Sequence, residues 1–386
     1  MPWLEYGNPR KDPTVNRRQP FFFRLLIAAC FLALGMPPAL LLADGQRYES
    51  PEIGKAIEHL RQNGATVSFY PMQFMQAGNP FANREEITYY INVHSMIPTE
   101  ENLAALLVIP KVDRLTVGPN FKRDQAAWDT LAQMSEITTL SISGDLQEFD
   151  LPNVARFANL NNLTLLRANN LDAEDLWYLE ELTELSRLSL SLNSDGAAYF
   201  DYLARLPKLD DLSLSLPAGK PVSLEGIQKL DRLNSLSIDA QEILGTDLRA
   251  VGQLSQLNSL NLLRAILTPK DMEIFRELDK LTYLNLYRCH FKDNPVDAFE
   301  GLTSLERVQL SSNDMSDDIL KPLGKLPRIR YMYVRGSKVT DQGLEHLHNA
   351  RSLRMIQLSS TDITQAGVDS LAKSLPTLQI IAPLKK

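Results

Sequence analysis

One apolar pattern, L-x-x-L-x-L, returns along most of this chain at a nearly constant interval, and that interval constrains the fold more than any other feature. Clear copies are Leu160/Leu163/Leu165, Leu185/Leu188/Leu190, Leu209/Leu212/Leu214, Leu233/Leu236/Ile238 and Leu257/Leu260/Leu262. They continue as Leu281/Leu284/Leu286, Leu305/Val308/Leu310, Ile329/Met332/Val334 and Leu353/Ile356/Leu358. Degenerate copies, Val112/Leu115/Val117 and Ile137/Leu140/Ile142, come before, and Leu378 with Ile381 closes the series. Successive starts lie 25, 23 and 25 residues apart, then 24 seven times, then 25. A period of this size marks an array whose units stack, because no single unit can bury its apolar face alone. The alternation inside each copy makes one short strand with its apolar side turned inward.

On these residues the chain resembles the leucine-rich repeat family over about residues 110–382. The resemblance implies an α/β solenoid, a horseshoe with a parallel concave sheet and convex helices. The 24-residue unit is similar to the cysteine-containing and bacterial subtypes. Three positions after the third apolar residue, the family places a side chain that bonds backbone in the descending loop. That column reads Asn120, Asp145, Ala168, Asn193, Pro217, Gln241, Ala265, Cys289, Asn313, Ser337 and Thr361. Ala168, Pro217 and Ala265 depart from the pattern, so looser loops are expected there. Helix starts are marked by Thr268, Ser316, Thr340 and Thr364, all good capping residues. Ile319/Leu323, Leu344/Leu347 and Val368/Leu371 then give the inward face at helical spacing.

Ahead of the repeats, Leu25 to Ala43 runs 19 residues without a charge. That length spans about 28 Å as a helix, close to a hydrocarbon core. Residues 21–43 therefore read as a transmembrane or signal-anchor helix, kinked at Gly35, Pro37 and Pro38. Basic residues (Arg10, Lys11, Arg17, Arg18, Arg24) precede it and acidic ones (Asp44, Glu49, Glu52) follow. A single-pass membrane protein is expected, with a disordered cytoplasmic segment 1–20 and extracytoplasmic repeats. A cleaved signal peptide and a lipoprotein acylated at Cys30 are the competing readings. Residues 51–110 read as the N-terminal cap of the solenoid. Ile53, Ile57 and Leu60 make a helix face, Asn63-Gly64 ends it, residues 66–70 alternate as a strand, and Ile87 to His94, about one period before Val112, reads as a degenerate first repeat. Residues 111–386 make the repeat domain, about eleven repeats plus a partial C-terminal cap.

Composition excludes several functions. Residues 51–386 carry 34 Lys/Arg and 43 Asp/Glu, a net of −9, which argues against a nucleic-acid partner held by a basic surface. Two cysteines exclude a disulfide scaffold or a zinc framework, and Cys30 and Cys289 are not expected to pair. His346 and His348 are two apart and do not share a helix face. No nucleophile elbow, phosphate loop or zinc-protease motif occurs. No catalytic residue, metal or cofactor is expected.

What remains is recognition by the outward residues of the sheet. The central outward column runs Thr116, Ser141, Thr164, Ser189, Ser213, Ser237, Asn261, Asn285, Gln309, Tyr333, Gln357. Its residues are small and hydroxylated at first, then larger and amide-bearing. Neighbouring columns change at the same place, bringing in Tyr283, Tyr287, Arg288, Arg307, Tyr331, Arg335 and Met355. Tyr and Arg combine large contact area with directed hydrogen bonds. The concave face over about Leu281–Leu358 is thus expected to bind a protein or peptide. A structural or adhesive role in a cell envelope, and an intracellular repeat adaptor, are the alternatives.

Overall fold

Each copy of the apolar pattern but the last forms a strand whose inward residues are sealed from solvent. In the last, Ile380 takes the place beside Ile356 that was expected of Ile381, which sits beside outward Gln357 and is exposed. The computed structural model describes residues 50–71, 87–192, 196–217, 222–240, 248–292, 296–311, 316–336 and 338–382. The expected membrane segment 21–43 and the flanking residues 1–20 lie outside them. Among the described residues no helix is long and apolar enough to cross a membrane. Lys55–Lys386 is one compact unit.

Fourteen described strands form one sheet. Its first part comprises β1 (Thr66–Pro71), β2 (Ile87–Asn92), β3 (Val112–Val117), β4 (Thr139–Ser143), β5 (Asn162–Leu166), β6 (Arg187–Ser191), β7 (Asp211–Ser215) and β8 (Ser235–Asp239). The second comprises β9 (Ser259–Leu263), β11 (Tyr283–Tyr287), β13 (Arg307–Ser311), β14 (Tyr331–Arg335), β15 (Met355–Ser359) and β16 (Gln379–Ile381). Between them in sequence, β10 (Ile266–Leu267) and β12 (His290–Phe291) pair in a small second sheet beside the main one. Pairing is antiparallel only for β1 with β2; from β2 onward the main sheet is parallel and follows chain order. The register steps by one repeat at every strand: Leu236 sits beside Leu260, which sits beside Leu284, then Val308, Met332 and Ile356. These residues are all fully buried. Each such side chain contributes about 1.5–3 kcal/mol by leaving water.

The helix Pro51–Gln62 precedes β1, with Ile57 and Leu60 buried and Gly64 in the left-handed region at φ 92. Helix starts later in the chain use the expected residues. Thr268 and Asp271 form a reciprocal capping box. Asp317 accepts the Thr340 backbone N–H and hydroxyl, both at 2.7 Å, from the next repeat. Asp341 does the same for Thr364 at 2.8 and 2.6 Å. Glycine at 343 is required by this arrangement, since a Cβ there would collide with the Asp317 carboxylate.

The crossovers correct one expectation. Helices were expected behind every strand, yet Ala173–Glu181, Ile227–Lys229, Arg249–Gln253, Val296–Gly301 and Asp317–Ile319 are 3-10 segments. The reason lies in the apolar spacing. Leu224, Ile227, Leu230 and Leu233 recur at intervals of three, as do Leu248, Val251, Leu254 and Leu257, and all are buried. A helix with three residues per turn aligns such residues on one side. Leu230 N donates to Ile227 O at 2.9 Å and Leu254 N to Val251 O at 3.1 Å, the matching three-residue bonds. Strands stack about 4.8 Å apart, whereas a full α-helix needs about 10 Å, so slim crossovers ease the stacking.

The descending-loop column also differs in part. Cys289 behaves as expected, its thiol donating to Leu262 O at 3.3 Å across one repeat. Ala168 and Ala265, which depart from the pattern, are buried. Asn120 is exposed and does not join the column. Arg123 takes over its work. The Arg123 guanidinium, 3% exposed, donates to Asp150 Oδ2 at 2.8 Å and to the carbonyls of Gly118 at 3.3 Å and Asp145 at 2.7 Å. Asp150 also accepts the Trp128 indole at 3.0 Å and Gln147 N at 2.9 Å. A buried ion pair with every polar atom engaged joins the first two full repeats.

Two outcomes test this account. Leu284→Asp should remove the cooperative melt followed by circular dichroism, because it buries a charge among leucines; an unchanged melt would show the register to be wrong. Asp150→Ala, which strands the Arg123 charge, should lower stability by about 3–5 kcal/mol in urea unfolding. A loss under about 1 kcal/mol would contradict the network's role.

Candidate functional site

The outward residues of β11, β13, β14 and β15 lie in three rows fixed by backbone register. Tyr283, Arg307, Tyr331 and Met355 form the first row, and Asn285, Gln309, Tyr333 and Gln357 the second. Tyr287, Ser311, Arg335 and Ser359 form the third. All strand members of the expected set therefore share one face. Arg288 stands just past β11, in the left-handed region at φ 53. Gly336 occupies the same turn position after β14, at φ 61. A non-glycine residue in that region is uncommon and carries backbone strain.

Within the face the large side chains brace one another. The Arg307 guanidinium lies over the Tyr331 ring, 5.3 Å from its centroid, and Arg288 over Tyr287 at 5.4 Å. Tyr283 Oη donates to Gln309 Oε1 at 3.4 Å. Burial pushes the Tyr283 phenol above its ordinary range, against the pull of the Arg307 charge. Asn285 Nδ2 donates to Asn261 Oδ1 at 3.2 Å. Its own Oδ1 is sealed from solvent, and no donor reaches it among the described residues. An acceptor left in that state costs free energy until a donor arrives.

Three neighbours were not in the expected set. Ser311, in the third row between Tyr287 and Arg335, is buried. Leu263 on β9 lies beside Tyr287 and extends the apolar part of the face. Its signal in the sequence is hidden, because a leucine there reads as one more member of the inward pattern. Arg264 Nε donates to Asp239 Oδ1 at 2.9 Å, with a second bond from Nη2 to Oδ2. That ion pair, which includes the β8 aspartate, lies between Asp211 on β7 and the arginines of the later strands.

Asp211 on β7 lies farther along the same face, between Arg187 and Ser235. Burial pushes its carboxyl above the usual range, opposed by the Ser235 hydroxyl and the Arg187 charge. Among the described residues no cluster of His, Cys, Asp or Glu is placed to hold a metal ion.

No family model matches the chain, and no curated protein does. Solved structures do. The chain is similar in fold to an internalin (InlF) from Listeria monocytogenes, at 16% identity and a TM-score of 0.51, over 91% of this chain and all of that one. It is also similar to the protein of the TLR13–ssRNA13 complex, at 17% identity and a TM-score of 0.53, over 72% of this chain and 40% of that one. The fold is that of a leucine-rich repeat solenoid.

The titration of Asp211 gives a direct check. Its folded-state pKa is raised, so the native state pays for ionising it and loses stability as pH rises through the carboxylate range. Asp211→Asn should therefore raise the urea midpoint at pH about 7 and leave it unchanged at pH about 3, below both titrations. A gap of equal size at both pH values would contradict the assignment.

Proposed function

We propose that this chain is a non-catalytic recognition module that binds a protein or peptide on the outward face of β11–β15. The observation carrying this reading is the contiguous Tyr/Arg/amide surface, with arginines stacked on tyrosine rings. Tyr and Arg side chains held in place before binding lose little rotamer freedom on contact. The internalin-like fold supports a scaffold role, since the strands are interchangeable and the outward rows are where copies differ.

In this reading, residues 51–110 cap the array, residues 111–386 carry the repeats, and the apolar segment 21–43 tethers them to a membrane with the repeats on the far side. The membrane assignment rests on sequence: nineteen uncharged residues with a basic flank before and acidic residues after.

The test is affinity capture from membranes by the full chain, beside a variant with Tyr283, Tyr287, Tyr331 and Tyr333 changed to alanine. A protein retained by the wild type should be lost by the variant, whose circular-dichroism melt confirms folding. Equal retention by both would remove the face from the reading; capture of nothing but the chain itself would favour an envelope-structure role.

A further inference from the structure

We infer that the partner surface recognised by β11–β15 is an extended acidic peptide segment, an inference that rests on the binding face proposed above. The reason is charge. Residues 51–386 are net acidic at −9, yet the outward strand positions of β11, β13, β14 and β15 hold two arginines and no carboxylate. β9, next to β11, carries no carboxylate either, but the two strands beyond it do, Asp211 on β7 and Asp239 on β8.

Arg288, Arg307 and Arg335 have no carboxylate within 4.0 Å among the described residues, whereas Arg264 beside them is paired with Asp239. Arg288 and Arg307 each lie over a tyrosine ring, which limits where their guanidinium groups can sit, and a guanidinium suits a carboxylate through paired N–H donors. Strand spacing sets their separations. From β-sheet dimensions, Arg288 and Arg335 stand about 10 Å apart and Arg307 and Arg335 about 14 Å. An extended peptide covers those spans in about three to four residues.

A nucleic acid fits less well. It carries a charge at every nucleotide, and a strand crossing this patch would run onto Asp211 and Asp239 or over the acidic remainder of the chain. Three arginines with no carboxylate beside them among the described residues suit a partner with a few carboxylates.

The experiment uses the full chain and a fluorescein-labelled Gly/Ser peptide carrying glutamates about four residues apart. Its lysine counterpart and a single-stranded RNA of similar length are the comparison probes, all read by fluorescence anisotropy at low and moderate salt. The glutamate peptide should bind and the lysine peptide should not. Combined Arg288→Gln, Arg307→Gln and Arg335→Gln should weaken binding about tenfold or more and flatten its salt dependence. Arg156→Gln with Arg205→Gln, which changes net charge away from the face, should leave affinity unchanged. Equal binding of both peptides, or no effect of the triple variant, overturns the inference. RNA binding that is tighter than the peptide's and lost in the triple variant assigns the face to nucleic acid instead. If no anionic probe binds while the four-tyrosine variant still loses its captured protein, the face stands and its acidic ligand falls; if that capture fails too, the binding face itself is wrong.

Discussion

The parallel backbone ladder between repeats is the constraint on which everything else depends. Each strand's N–H and C=O groups are satisfied only by the strand one repeat away, as where Tyr283 N and Thr282 N both donate to Asn258 O. Because side chains alternate in a strand, a slip of one residue would turn the whole leucine row to solvent. The ladder and the leucine row therefore lock each other. Once locked, they decide which outward residues become neighbours, and the rows Tyr283–Arg307–Tyr331 and Asn285–Gln309–Tyr333 follow without further instruction.

Away from the strands the chain solves the same problem, stitching loop to loop, by different chemistry in different places. At the N-terminal end Arg123 and Asp150 gather carbonyls from two loops into one buried network. In the middle a single thiol, Cys289, reaches back to Leu262 O. Toward the C-terminus, aspartates 317 and 341 hold the capping threonine of the following repeat. A network with an ion pair is costly to break and specifies one arrangement, whereas a thiol bond is weak and relies on the packing around it. The ends and the centre of the solenoid are thus held by unequal means.

Much of this was legible in the sequence, for a physical reason. A period of 24 repeated through Leu209 to Leu353 has one structural solution, so strand positions and outward rows could be read by counting. The 3-10 crossovers were equally written, in the three-residue spacing of Leu224, Ile227, Leu230 and Leu233, but helix-start residues such as Thr340 drew the reading toward α-helix. Arg123 was not legible, since it lies outside the repeating column and its partners, Gly118, Asp145 and Asp150, are spread over two repeats. In the site, Tyr283 through Gln357 could be placed from alternation alone. Leu263 could not, because its outward position is disguised by apolar neighbours, nor could the left-handed turn that projects Arg288.

The scaffold's indifference to its outward rows is the argument that those rows serve something other than folding. Strands β6, β7 and β8 carry serines in the central row, and β13, β14 and β15 carry Gln309, Tyr333 and Gln357 there. Both groups have the same parallel register and the same sealed inward residues. If aromatic residues were needed for strand formation, the serine half would lack it, yet its ladder is equally complete. Serine hydroxyls are satisfied by water at little cost. Tyrosine rings such as those of Tyr283, Tyr287, Tyr331 and Tyr333 stay partly exposed. The strand ladder does not require that arrangement, which is why the face is proposed above as a recognition surface.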